Sequence, residues 1–267
     1  MIKPVVHVYA VCKNEIEILP FFVAHYEKIA AKIIVFDNQS TDGSREFIQQ
    51  HPLCTLVEYN TKNLLRDDIH RFIKNSAWKE SKGIADWVIV SDIDEFLFHK
   101  DLVEQLLLFK SKGITIPYVE GFNMISDTYP VQGISITEQV RYGAYSIQFS
   151  KQILFDPNKI IDINYTPGGH TIEPEGDIKI GGELKLLHYK YLGSHDRLQK
   201  RWDEVGQTLS TINVENKWGT ERLKPDVILS RFEFVKKNAE LVIDHSFCEW
   251  RSKVKKLFKK RDMSVKF

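Results

Sequence analysis

The sequence predicts an α/β fold: a three-layer α/β/α arrangement on a mostly parallel central sheet, followed by a mixed-strand extension and helices at the carboxyl end. Three observations carry this. Short apolar, β-branched runs alternate with helical periods over the first hundred residues. Each apolar run ends in a polar break. From Gly113 to Tyr191 the pattern changes to strand-like runs rich in Gly and Pro, and from His195 onward it turns helical and charged again. Strands joined through helices lie parallel and are covered on both faces.

The elements follow in order. Val5 to Val11 reads as a first strand, and Lys13-Asn14-Glu15 as the break after it. Phe21, Phe22, His25, Tyr26 and Ile29 recur at helical spacing, with Pro20 in the first turns, where proline is tolerated. Lys32 to Phe36 is a second strand, ending in the turn-rich run Asp37 to Ser44. Ser44 to Gln50 is a short helix capped by Thr41 or Asp42. Leu53 to Tyr59 is a third strand. Asp67 to Lys82 is a helix with Ile69, Phe72, Ile73 and Trp78 inward. Trp87 to Val90 is a buried strand that runs into Asp92, Asp94 and Glu95. Leu102 to Lys110 is helical, and Ile114 to Val119, Tyr145 to Ile153 and Glu183 to Tyr189 are the strands of the extension. The division is then a first domain over 1–194, with halves 1–100 and 101–194, and a helical extension over 195–267.

Composition narrows the function. The chain has 267 residues, 43% hydrophobic and 27% charged, the profile of a globular protein with a sizeable core. A net charge of +1 gives no global field for nucleic acid. No apolar run reaches membrane-spanning length, and the first residues lack the apolar core of a signal peptide. Three widely spaced cysteines, Cys12, Cys54 and Cys248, read as reduced thiols, so the expected compartment is the cytoplasm.

The informative stretch is Trp87 to Phe96. In an extended chain alternate residues share a face, so Asp92 and Asp94 point together while Ile93 points into the protein. Two carboxylates at the carboxyl end of a strand make a hard-oxygen site suited to Mg²⁺ or Mn²⁺ with phosphate ligands. Because every polar break follows a strand, Asn14, Asp37 and Asp92 are expected along one crevice.

These residues, Lys13-Asn14-Glu15, Phe36 to Gly43 and Ser91 to Phe96, resemble the family 2-like glycosyltransferases, above all the compact bacterial branch with an Asp-Ile-Asp-Glu-Phe metal motif. Phe155-Asp156-Pro157, Pro167 to His170 and Leu187 to Gly193 look like the same branch, so the resemblance covers roughly residues 5 to 200. It implies a GT-A fold, a UDP- or GDP-type sugar donor, Mn²⁺ or Mg²⁺, and a glycan or lipid-linked acceptor in surface polysaccharide or lipopolysaccharide synthesis. By the same likeness Asp94 is the direct metal ligand, Asp92 contacts the ribose side or a metal water, and His188 completes the metal shell. His170 is a second candidate for the metal or the diphosphate. Asp37 accepts from the base, Asn14 and Glu15 sit beneath it, and Arg71 and Asn75 face the donor. An inverting transferase needs a carboxylate to take the acceptor's proton. Asp127 is the first choice, with Glu120 and Glu138 as rivals.

Each residue also has a plainer reading: a turn-former for Asp37, an N-cap for Asn14, a core histidine for His188, a solvated helix face for Arg71 and Asn75. Two other activities fit part of the pattern. A haloacid-dehalogenase-like phosphohydrolase also uses Asp-x-Asp after a strand, and a catalytically inactive carbohydrate-binding protein would keep the fold. The tail Arg251 to Phe267 carries eight Lys/Arg against one Asp. It reads as a solvated helix end or as a peripheral contact with anionic lipid at the inner face of the membrane.

Overall fold

The computed structural model describes residues 3–224 and 226–244; the basic tail Arg251 to Phe267 and Cys248 lie outside the described residues. In chain order the elements are β1 Val6–Cys12, α1 Leu19–Tyr26, β2 Lys32–Asp37, α2 Ser44–Gln50, β3 Cys54–Glu58, α3 Asp67–Ser76, β4 Trp87–Asp92 and β5 Glu95–Phe98. There follow α4 Leu102–Ser111, β6 Ile116–Ser126, α5 Ile136–Gln139, β7 Tyr142–Tyr145, β8 Leu154–Phe155, β9 Ile160–Asp162, β10 Glu175–Gly176 and β11 Ile180–Leu192. The chain closes through α6 His195–Gly206, α7 Thr211–Glu215, α8 Val227–Asn238 and β12 Glu240–Leu241.

The first sheet has the order β3-β2-β1-β4-β8, parallel throughout except for the edge strand β8. Alternation sends Val8, Ala10, Ile33, Val35 and Ile89 to one face, under Phe22 and Tyr26 of α1 and Ile48 of α2. Tyr9, Ile34, Val88 and Val90 go to the other, where Trp78 meets Phe155 edge-on at 4.8 Å between ring centres. Both faces are therefore covered, and the fold is the expected mixed α/β one. Phe22 and Trp87 are completely buried, each contributing on the order of 2–3 kcal/mol of apolar transfer.

The second sheet, β12-β7-β6-β11-β5, is the mixed extension: β11 runs parallel to β6 and antiparallel to β5, and β7 is antiparallel to β6. Only Ile93 and Asp94 separate β4, in the first sheet, from β5, in the second. The acidic turn is thus the joint between sheets. Helices α6 and α8 pack Leu198, Trp202, Ile228 and Phe232 against Ile125 and Tyr191 of the second sheet.

Three expectations need correction. Phe72 is 69% exposed rather than inward, and α3 stops at Ser76, with a 3₁₀ turn over Ala77–Ser81. The inward position goes to Lys74, whose ammonium meets a carboxylate there. Tyr145 to Ile153 is not a strand: β7 ends at Tyr145 and a 3₁₀ turn covers Ile147–Phe149. The backbone there lies against Gly121, where an added Cβ would stand 2.0 Å from the Phe149 carbonyl oxygen. Finally, α2 has the expected bounds but starts after Gly43 at φ 99°, a left-handed residue, so neither Thr41 nor Asp42 occupies the cap. Asp42 Oδ1 still accepts from the Ser44 N–H at 3.0 Å.

Candidate functional site

A cleft of about 1370 Å³ opens at the carboxyl ends of β1 and β4 and is walled by α3, β11, α6 and α8. Asn14, Glu15, Asp92, Asp94, His170 and His188 all line it. This is the position ligands take in open α/β sheets.

At the joint between the sheets, Asp94 Oδ2 lies 3.2 Å from His188 Nε2. His188 stands on β11 next to β5, and its Nδ1 lies 2.8 Å from Asn123 Oδ1 on the neighbouring β6. An amide oxygen only accepts, so Nδ1 carries a proton, and Nε2 points at the Asp94 carboxylate. The Phe149 ring stacks on the imidazole at 4.0 Å, fixing its plane. Burial acts to raise the Asp94 carboxyl; His188 outweighs it and holds the carboxyl below its ordinary range.

Asp92 has a different environment. Lys74 Nζ lies 2.6 Å from Oδ1 and Lys151 Nζ lies 3.5 Å from Oδ2. Lys151 also pairs with Glu95, which is buried and accepts from the Asp92 N–H at 3.2 Å. Burial would raise the Asp92 carboxyl, but Lys74 and then Lys151 hold it well below the carboxylate range. Burial likewise works to lower the Lys151 ammonium, and Glu95 and Asp92 reverse this and raise it. A chain of alternating charge, Lys74–Asp92–Lys151–Glu95, thus lies beside the Asp94–His188 pair. Sequence reasoning missed both lysines. Lys74 follows Arg71 by one helical turn, a legible signal; Lys151 lies in the segment expected to be a strand.

The β1–α1 loop forms the opposite lip. Asn14 is not an N-cap. It sits at φ 52°, accepts from the Thr41 N–H through Oδ1 at 2.9 Å, and ties the loop to the one after β2. Glu15 pairs with Arg201 of α6. Burial raises the Glu15 carboxyl to about 7, with Arg201 opposing that rise.

Other expected donor contacts divide. Arg71 and His170 line the cleft. His170 Nδ1 donates to the Gln148 carbonyl at 2.9 Å, leaving Nε2 as an acceptor. Asn75 does not line the cleft; it pairs with both backbone groups of Tyr165, at 3.2 and 2.7 Å, and so pins the loop that carries His170. Asp37 is fully buried, and its two oxygens accept from the Ser40 N–H at 2.8 Å and the Ser40 hydroxyl at 2.5 Å. It is the turn-former, and its neighbour Asn38 reaches the cleft. Neither choice of base lies there. Asp127 pairs with Lys236 at 2.7 Å on an exposed surface, and Glu120 is buried within β6. Glu138, on α5, also lies off the cleft.

The donor set bears on a divalent cation. Among the described residues no three His, Cys, Asp or Glu side chains form a ready-made metal site. Asp94 and His188 supply two ligands at one point, whereas both Asp92 oxygens face ammonium groups. Two protein ligands suit a cation that takes its remaining oxygens from water and a substrate's phosphates. Asp94 and His188 therefore fit the role, and Asp92 does not fit as a direct ligand. Among the described residues no helix is long and apolar enough to cross a membrane.

No family model matches the chain, and no curated protein matches it. Among solved structures it is similar to S. aureus TarS. The structure of TarS 1-349 is 8% identical with a TM-score of 0.39, over 57% of this chain and 47% of that one. S. aureus TarS gives 12% and 0.38, over 57% of this chain and 28% of that one. TarS 1-349 in complex with UDP gives 10% and 0.38, over 57% and 47%. The matched region thus spans less than half of each TarS chain.

Proposed function

We propose that this protein is a glycosyltransferase that moves a sugar from a nucleotide-diphosphate donor, of UDP or GDP type, to a glycan or lipid-linked acceptor with the help of Mn²⁺ or Mg²⁺. The observation that carries the proposal is the meeting of the Asp94–His188 pair with Lys74 and Lys151 at the carboxyl end of β4, inside a cleft large enough for a nucleotide sugar.

Breaking a sugar–diphosphate bond leaves charge on the departing nucleotide. Asp94 and His188 would hold the cation, which when bound supplies Lewis-acid neutralisation of that charge. Lys74 and Lys151, already aligned by Asp92 and Glu95, present ammonium groups to the same diphosphate as preorganised positive charge. Arg71 and His170 bound the donor's path from the α3 side, and Asn14 and Glu15 form the nucleoside lip. The acceptor enters from the wall built by α6 and α8. Its place in surface polysaccharide synthesis belongs to the same proposal.

Titration with UDP and GDP, with and without Mn²⁺, tests it. The expected result is cation-dependent binding of one nucleotide, lost in Asp94→Asn, with release of the free nucleotide from the matching sugar donor. Failure of both UDP and GDP to bind, with and without Mn²⁺, would overturn it.

A further inference from the structure

One wall of the cleft is built around an indole. Trp202 of α6 is 3% exposed. Three basic groups surround its ring: Lys190 Nζ at 4.7 Å from the ring centre, and the guanidinium carbons of Arg222 and Arg231 each at 5.6 Å. They come from three separate elements, β11, the 3₁₀ turn over Thr220–Leu223, and α8. All three line the cleft. Two carboxylates act on them: Glu221, at 3.6 Å from Arg231, and Asp94, whose charge supports that of Lys190. Lys190 and Arg222 form no ion pair among the described residues.

Gathering like charges in a partly desolvated place opposes folding. An indole face and the two carboxylates offset part of that cost, and burial pushes the Lys190 ammonium down to about 7, but the guanidinium groups of Arg222 and Arg231 leave an excess of positive charge on the cleft wall. Beside this cluster two aromatic side chains line the cleft, Phe234, 65% exposed, and Trp218, half-buried. Flat apolar faces next to forked guanidinium donors suit a sugar ring that bears a carboxylate or a phosphate.

We infer that this wall is the acceptor subsite and that it takes an anionic saccharide, its oxyanion held by Arg222, Arg231 and Lys190 and its ring set against Phe234 and Trp218. The inference rests on the sugar-transfer reading and names the acceptor class for the same cleft. At the donor end Lys74 and Lys151 pair with Asp92; Arg222 and Arg231 belong to the acceptor wall, and Lys190 acts on both that wall and Asp94.

The test uses the full chain and three probes: cellotriose, trigalacturonate and a phosphorylated maltotriose, titrated by calorimetry at low and high salt. At least one charged probe is expected to bind ten-fold or more tighter than cellotriose, with the advantage falling as salt rises. Comparing the two charged probes tells carboxylate from phosphate. In Arg222→Gln/Arg231→Gln the advantage is expected to vanish while cellotriose binding stays. If that double variant fails to fold, Lys190→Gln alone is expected to reduce the advantage at least three-fold. Equal binding of charged and neutral probes, no binding of either charged probe at millimolar concentration, or an advantage that survives the substitutions would overturn the inference. Nucleotide binding to the unaltered chain is measured separately. Nucleotide binding without a charge preference overturns the acceptor inference alone. A charge preference without nucleotide binding overturns sugar transfer and retains the wall as an anionic-saccharide site.

Discussion

Lys74 Nζ lies 2.6 Å from Asp92 Oδ1, and Lys74 is almost wholly buried, where the apolar pattern of α3 would place Phe72. The helix has turned a charge inward and left an aromatic ring in solvent. That exchange is unfavourable on transfer grounds alone. It is offset by the carboxylate of Asp92, which would otherwise be held only by Lys151.

Lys74→Met removes that partner and keeps the bulk. Removing one member of a buried pair leaves the other charge uncompensated. Because Asp92 keeps Lys151 and partial solvent contact, the expected cost is about 2 kcal/mol, below the range for fully buried pairs. If Lys74 serves a diphosphate as proposed, nucleotide affinity falls about ten-fold as well, the loss of one charge-assisted contact. Chemical denaturation and calorimetric titration read the two effects separately. An unchanged nucleotide affinity in a destabilised variant would confine Lys74 to a structural role.

A substitution at Asn123 tests the orientation of His188 without altering a proposed ligand. Its amide oxygen keeps the Nδ1 proton in place, and partners of this kind tune a histidine's basicity and direction. Asn123→Leu is expected to weaken Mn²⁺ affinity between about ten- and a hundred-fold. It should leave nucleotide binding in the absence of cation unchanged. Manganese titration by electron paramagnetic resonance measures it, and affinity equal to that of the unaltered chain would remove His188 from the proposed cation site.

Gly121→Ala probes how the Phe149 segment is held. An added Cβ would stand 2.0 Å from the Phe149 carbonyl oxygen and 2.6 Å from the Ser150 nitrogen, closer than any real contact. The segment must move, and with it the ring stacked on His188. The expected destabilisation is about 2–3 kcal/mol. Weaker cation binding should accompany it, although residue 121 is not a ligand. Calorimetric melting and manganese titration together check this; a fully stable variant would show that the segment yields freely.

The parallel sheet was readable because its signal is local: apolar runs of strand length, each closed by a polar break, place Asn14 and Asp92 at one edge whatever the rest does. Asp37 shows where that logic stops. A turn aspartate and a base-binding aspartate look alike in Asp37-Asn38-Gln39-Ser40, and only the two bonds to Ser40 separate them. Lys74 owes its burial to Asp92, 18 residues away in the chain, and Lys151 to Glu95 and Asp92, 56 and 59 residues away, so no local period could expose them. Asp127 closes the run from Gly121 to Ser126, but that run is the end of β6, and Asp127 pairs with Lys236 away from the cleft. His188 was legible through the resemblance and through its strand, whereas the ring that stacks on it was hidden in a segment with the wrong expected structure.

His25 supplies a prediction about acid, away from the site. Its Nε2 donates to the Leu97 carbonyl at 2.8 Å, and its ring lies 5.2 Å from Phe96, so it holds β5 against α1. Burial lowers the His25 imidazole from 6.5 to about 4, against the opposing effect of the Leu97 bond. The folded state therefore resists protonation that the unfolded chain accepts between pH 6.5 and about 4. Stability is fully present above the unfolded value and is lost as pH falls through this window. At 1.36 kcal/mol per pH unit, the loss between pH 7 and pH 5 is about 2 kcal/mol from this group alone. His25→Gln keeps an N–H for Leu97 and removes the titration, so its acid limb should be flatter by that amount. Urea denaturation at pH 7 and pH 5 measures it. Parallel pH profiles in the two proteins would assign the acid sensitivity to other groups and show that His25 takes up its proton alike in the folded and unfolded chain.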